Sequence, residues 1–214
     1  MISLFAPSAP RVLCIGAHSD DIEIGCAATL LQWRERHPAL QVCWVVVSTD
    51  ELRATEAKNS AHALLGDALS YVILGNFKDG YFPAQFSEIK FFLTSIRERF
   101  TPDIVLTHTL DDRHQDHRLI AEMTWQIWRD QLLLEYEIPK YEGDLGRPNI
   151  YVPLSRKNAD HKLQHLMFHF ESQRSKGWFR EAVFSGLMHM RGIECRAESG
   201  CAEAFLARKV VLDG

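Results

Sequence analysis

Leu40–Ser48, LQVCWVVVS, is the most β-branched and apolar stretch of the chain, and its apolar positions run on without alternating. A strand made from it needs cover on both faces, which a parallel sheet between two layers of helices supplies. Arg11–Gly16, RVLCIG, is a second run of the same kind. Between the two, Ile24, Ala27, Ala28, Leu30, Leu31 and Trp33 recur at helical spacing within Glu23–Arg36, and His37-Pro38 ends the repeat. Thr49-Asp50 opens a second helix over Glu51–Leu65, Gly66 caps it, and Tyr71–Leu74 forms a third strand. That β-α-β-α-β order requires right-handed crossovers and hence a parallel sheet. A helix over Glu88–Phe100, a strand over Asp103–Thr107 and a helix from Leu119 to about Leu132 extend it. Beyond these the pattern loosens: a strand-like 132–139, a loop Lys140–Asn149, a strand Ile150–Leu154, helices starting near Ser155 and over Trp178–His189, and an extended Ala202–Leu212.

With 214 residues and 46% hydrophobic content, the chain makes one α/β domain, a core of about residues 10–135 with 136–214 completing the cleft. A net charge of -4 without a long run of like charge argues against nucleic acid or an anionic membrane as partner and for a small molecule. The five cysteines are odd in number and scattered, as expected of buried thiols in a reducing compartment. Met1–Pro10 lacks the pattern of a signal peptide, and a cytoplasmic protein is expected. A homo-oligomer is compatible with all of this.

Two clusters of chemistry-bearing residues each follow a strand: Ala17-His18-Ser19-Asp20-Asp21 after the first, and the run from His108 through Asp112, His114 and Asp116 to His117 after the fourth. Open α/β sheets bind ligands at the carboxyl ends of their strands, so the two converge. His18, Asp21 and His117 make a His₂Asp set, three protein ligands with one position open, the arrangement of catalytic zinc. On a tight turn His18 and the residue three further on can face one point while Asp20 faces elsewhere. Asp20 is then free as general base for a water whose pKa the metal lowers to about 7. His114 and His117 share a face at i, i+3 spacing, and only one need bind metal. The other can stand over the reacting carbonyl, with Asp116 or Asp112 raising its pKa and fixing its tautomer. The competing explanation for Asp20-Asp21 is a helix N-cap. His37, His62, His161, His165, His169 and His189 are expected to be surface or packing residues.

The two clusters stand in order with Arg53-x-x-Glu56, Asp79-Gly80, Tyr136-Glu137-x-Pro139, Lys162, Ser172-Gln173, Arg191-Gly192-Ile193-Glu194 and Ala202-Glu203-Ala204-Phe205. The set resembles the PIG-L/LmbE-like family of zinc-dependent N-deacetylases, whose signatures are A-H-P-D-D and a later H-x-D-H. The resemblance implies a Rossmann-like, mostly parallel sheet flanked by helices, with a C-terminal extension covering the site. It implies one Zn²⁺, or another divalent metal, on His18, Asp21 and His117, Asp20 as base, and His114 as electrostatic and acid partner, with Asp116 in the catalytic set. The implied reaction is hydrolysis of an N-acetyl group, commonly on a glucosamine-type sugar, releasing acetate and an amine. Arg53 matches a position near the substrate, with pairing to Glu56 as its alternative; Asp79 binds a sugar hydroxyl or only makes a turn; Asp112 counts with the substrate contacts. Glu137 and Lys162 pair with each other or line the cleft. Ser19 replaces the proline of the signature, which frees a fixed φ. Cys201 replaces a tyrosine, which removes a hydroxyl or a stacking surface.

A nucleotide-binding module is disfavoured because the turn G-A-H-S-D-D-I-E-I-G puts carboxylates where a phosphate would sit. Another metal-dependent amidase or phosphoesterase, and a non-catalytic protein on the same fold, are the remaining alternatives.

Overall fold

The protein is described by a computed structural model over residues 10–211. Strands β1 (Arg11–Gly16), β2 (Gln41–Val46), β3 (Leu69–Leu74), β4 (Ile104–His108), β5 (Leu132–Tyr136), β6 (Ile150–Pro153) and β7 (Ala202–Leu206) form one sheet in the order β3-β2-β1-β4-β5-β7-β6. The pairs from β3 through β5 are parallel. β7 runs antiparallel to both its neighbours. The helices are α1 (Asp21–Arg36), α2 (Glu51–Leu65), α3 (Phe86–Arg99), α4 (Gln115–Ile127), α5 (Arg156–His169) and α6 (Glu181–Cys195).

The continuous apolar strands are explained by cover on both faces. Val12 and Cys14 of β1 and Val42, Trp44 and Val46 of β2 pack with α1, α2, α5 and α6, while Leu13 and Ile15, and Cys43 and Val45, pack with α3 and α4. All five cysteines are free and buried. Asp50 caps α2 by accepting from the Arg53 N–H at 2.8 Å, and Ser155 caps α5 through Asn158 N–H at 3.1 Å. Several expected boundaries move; the helix expected over Trp178–His189 runs Glu181–Cys195, and the strand-like 132–139 ends at Tyr136. The helix placed at Leu119 to about Leu132 begins at Gln115 and ends at Ile127, which puts His117 in its first turn. The expected extended segment Ala202–Leu212 is strand only to Leu206; Leu212 and residues 1–9 lie outside the described residues.

α1 crosses β5 at Gly25, where a Cβ would stand 2.4 Å from the Tyr136 ring. Its midpoint is bound to β7: Glu203 accepts the N–H groups of Ala28 and Thr29 and pairs with Lys162 Nζ at 2.6 Å. Lys162 therefore pairs with Glu203, and Glu137 pairs with Arg191 at 2.6 Å, rather than with each other. No helix among the described residues is long and apolar enough to cross a membrane.

Candidate metal centre

β1 and β4 are adjacent and parallel, so the turns that leave them meet at one edge of the sheet. The β1 turn is fastened to β4 by the Ala17 N–H, which donates to His108 Nε2 at 2.9 Å. Asp20 occupies the N-cap position of α1 without a side-chain capping bond, which removes the cap explanation for its carboxylate. Asp21 turns back and accepts the His18 N–H on Oδ2 at 2.7 Å. Ser19 is fully buried, with its hydroxyl unpartnered among the described residues.

Donor atoms of three residues approach one another: His18 Nδ1 lies 3.2 Å from His117 Nε2 and 3.4 Å from Asp21 Oδ2, and His117 Nε2 lies 3.5 Å from the other oxygen of Asp21, Oδ1. A tetrahedral ion with ligands at 2.0–2.2 Å has donor–donor edges of about 3.3–3.6 Å. The three separations lie close to those edges, the two to Asp21 ending on different oxygens of its carboxylate.

The outward nitrogens of both rings are held by carboxylates, which aims the inward ones at the centre. His18 Nε2 meets Asp79 Oδ1 at 2.9 Å and Asp116 Oδ2 at 3.5 Å. His117 Nδ1 meets Asp112 Oδ2 at 3.0 Å. Burial disfavours charge on His18, but hydrogen bonds to Asp116, Asp21 and Asp79 outweigh it and hold its pKa well above the ordinary value. Burial likewise opposes ionisation of Asp21, and His117, His108 and His18 overcome it and hold the carboxyl well below its usual range. For His117 burial wins, aided by His108, and its pKa falls. The converging carboxylates favour positive charge at this centre, which a divalent cation could supply.

The other expected site residues fall in distinct places. His114 is half-buried at the N-cap of α4, lines the cleft and sits edge-on to His18, ring centroids 5.1 Å apart. Burial and then the neighbouring His117 and His18 lower its pKa, so the expected elevation by Asp112 or Asp116 is not found. Asp112 is 2% exposed and holds His117, the His114 N–H and Lys140 rather than facing the cleft. Asp116 is fully buried behind His18, accepting from Gly80 N–H at 2.6 Å and Phe82 N–H at 3.2 Å. Asp79 lines the cleft and is bonded to His18.

Arg53 donates to Asp20 Oδ1 at 2.6 Å, while its Nε is 3.9 Å from Glu56, which is occupied by Ser172. Asp20 Oδ2 is buried and has no partner among the described residues. These groups open onto a cleft of about 820 Å³.

Three residues were given no role by the sequence reading. His108 is fully buried and stacks on His117, centroids 4.0 Å apart. Tyr136 donates its hydroxyl to Ile15 O at 2.6 Å and stands against His108. Lys140 is held between Asp112 and Asp144 at 3.0 and 2.7 Å. Local signals existed for two of them: His108 ends β4 inside the histidine-rich run, and Lys140 and Asp144 are an i, i+4 pair in a loop. Cys201 is buried with Sγ 3.7 Å from His189 Nε2, away from the cleft lining.

Comparison with known proteins gives a consistent pattern. Residues 13–128 match the family described as PIG-L: GlcNAc-PI de-N-acetylase. "Uncharacterized deacetylase YaiS" of Escherichia coli (strain K12) is 30% identical over 141 residues, 60% of this chain and 74% of that protein. The N,N'-diacetylchitobiose deacetylase from Pyrococcus horikoshii superposes with a TM-score of 0.72 at 20% identity, covering 93% of this chain and 84% of that one. GalB, the 4-carboxy-2-hydroxymuconate hydratase from Pseudomonas putida KT2440, superposes with a TM-score of 0.76 at 16% identity, covering 96% and 98%.

Proposed function

We propose, from the premise that the chain belongs to the PIG-L (GlcNAc-PI de-N-acetylase) family, that it is a zinc-dependent hydrolase removing the N-acetyl group from an N-acetylglucosamine-type sugar or sugar conjugate. A deacetylase and a hydratase share its fold, so fold alone does not choose the reaction. One observation carries the reading: the His18–Asp21–His117 donor triangle has beside it, in Asp20 Oδ2, a buried carboxylate oxygen with no partner among the described residues. Zinc held by the triangle would supply Lewis acidity, lowering the pKa of a water to about 7 and polarising the acetamide carbonyl.

In this reading Arg53 fixes one oxygen of Asp20, leaving Oδ2 to accept a proton from the attacking water. As the C–N bond breaks, that proton passes to the amine nitrogen, so acetate and the free amino sugar leave. His114, on the cleft side of His18 and His117, donates to the oxyanion of the tetrahedral intermediate. Asp79, Asp112 and Asp116 orient the two histidine ligands. Residues 136–214 complete the cleft in one unit with the core, a reading supported by Lys140, Tyr141, Gln173 and Trp178 in its lining. A cytoplasmic setting is supported by five buried free thiols.

The test measures zinc content and acetate release from a panel of N-acetylated sugars. Asp20→Asn is expected to keep zinc and lose about 10²–10⁴-fold in rate, and His117→Ala to lose zinc. Full activity in zinc-loaded Asp20→Asn would overturn the base assignment, and normal zinc content in His117→Ala the ligand set.

A further inference from the structure

Four cationic side chains line the cleft, and two of them are already engaged. Arg53 is bound to Asp20 at 2.6 Å, and Lys140 lies between Asp112 and Asp144 at 3.0 and 2.7 Å. Lys78 and Lys176 make no ion pair among the described residues. Lys78 Nζ sits 3.9 Å from the centre of the Tyr81 ring, and Lys176 Nζ 5.7 Å from that of Trp178. An ammonium over a ring keeps its charge, so both are available to an anion. They come from separate segments, Lys78 from the loop after β3 and Lys176 from beyond the short helical turn that follows α5. Among the lining carboxylates, Asp20 faces Arg53, Asp21 and Asp79 face His18, and Asp50 caps α2. Glu142 is the lining carboxylate that remains without a bonded partner among the described residues.

The walls carry aromatic faces as well. Tyr141 accepts the Gly177 N–H on its hydroxyl at 3.2 Å, which ties its loop to the segment bearing Lys176 and Trp178. At about 820 Å³ the cleft is large within the roughly 300–1,000 Å³ range of ligand pockets, and exceeds what one acetamido sugar requires.

We propose that the cleft takes a phosphorylated N-acetyl amino sugar, with the acetamide at the metal centre and the phosphate met by Lys78 and Lys176. This rests on the deacetylase reading above. Two ammonium point charges match the two negative charges of a phosphate dianion, and the lining arginine is engaged by Asp20.

The experiment uses the zinc-loaded full chain. Calorimetry gives the affinities for glucosamine 1-phosphate, uridine diphosphate glucosamine and methyl glucosaminide, and acetate release gives kcat/KM for their N-acetylated counterparts. The wild type is expected to bind a phosphorylated form at least about tenfold more tightly than the uncharged glycoside, and the stronger of the two phosphorylated ligands identifies a monoester or a pyrophosphate. Lys78→Met and Lys176→Met should each reduce that ratio about fivefold, and added salt should reduce it in the wild type. A wild-type ratio near one, or a ratio that neither substitution changes, would overturn the proposal. Lysine-dependent binding without acetate release would uphold the anion site and sink the deacetylase reading; equal acetate release from charged and uncharged sugars would do the reverse.

Discussion

Replacing Lys140 by Met removes one ammonium and leaves two carboxylates facing each other inside the protein. Its Nζ is 3.0 Å from Asp112 and 2.7 Å from Asp144, with side-chain exposures of 7%, 2% and 6% for Lys140, Asp112 and Asp144. Removing one partner of a buried pair costs about 3–5 kcal/mol, against about 1 or less for an exposed one, and these exposures put Lys140 in the first class. Urea unfolding of the metal-free protein at neutral pH should therefore show a loss of about 4 kcal/mol, with Lys140→Arg recovering most of it. The pH profile is the sharper check. Burial works to raise the Asp112 pKa, but the His117 hydrogen bond and the charges of His117, His108 and Lys140 hold it well below the carboxylate range. A group depressed in this way contributes stability above its unfolded pKa of about 3.9 and loses it as pH falls through the folded value. Without Lys140 the depression shrinks, so the gap between wild type and variant is full at neutral pH and narrows below about pH 4. Asp112 also orients His117, so zinc affinity measured against a chelator should fall about 10–100-fold. A stability loss under about 1 kcal/mol, or a gap that stays constant in acid, would refute the reasoning.

Three other perturbations have defined outcomes. Burial, with His169 and His161, pushes the His165 pKa down to about 3. Between that value and the unfolded 6.5 the unfolded chain binds the extra proton. Stability should therefore fall by about 1.4 kcal/mol per pH unit on acidification below 6.5, and His165→Gln should flatten that part of a urea-midpoint profile. Asp79→Asn should weaken zinc about tenfold in chelator competition while leaving the melting temperature nearly unchanged, because the carboxylate holds His18 at 2.9 Å yet its side chain is 70% exposed. Gly25→Ala should cost about 2 kcal/mol in thermal unfolding, since the new methyl would meet the Tyr136 ring at 2.4 Å and displace the hydroxyl from Ile15 O; an unchanged melting temperature would contradict that packing.

The parallel half of the sheet was legible because a continuous apolar run tolerates only one environment. Leu40–Ser48 had to be covered twice, and β2 is, by α1 and α2 on one face and α3 and α4 on the other. The C-terminal half depended on pairings no local pattern states. Nothing in Ala202–Leu206 announces that it inserts antiparallel between β5 and β6. The start of α4 was misjudged for a related reason: apolar periodicity begins at Leu119, but Gln115–Arg118 is a polar first turn. Its Asp116 and His117 are held by the Gly80 and Phe82 N–H groups and by Asp112.

The proposed metal donors were legible as candidates because each cluster is compact in sequence, whereas their supports were not, because adjacency in sequence misleads on a turn. Asp112 and Asp116 flank His114 and were expected to serve it; successive positions there point to different sides, so Asp112 goes to His117 and Asp116 to His18. Arg53 was expected at the substrate or on Glu56, and only the packing of α2 beside the β1 turn brings it to Asp20, 33 positions away. That contact bears on chemistry more than the donor set does. A triangle of two histidines and an aspartate can hold a divalent ion for many reactions, and both a deacetylase and a hydratase share this fold. A carboxylate pinned on one oxygen by Arg53, with its other oxygen buried and unpartnered among the described residues, meets a narrower requirement, that of the general base proposed for Asp20: taking a proton at one position and releasing it to a leaving nitrogen.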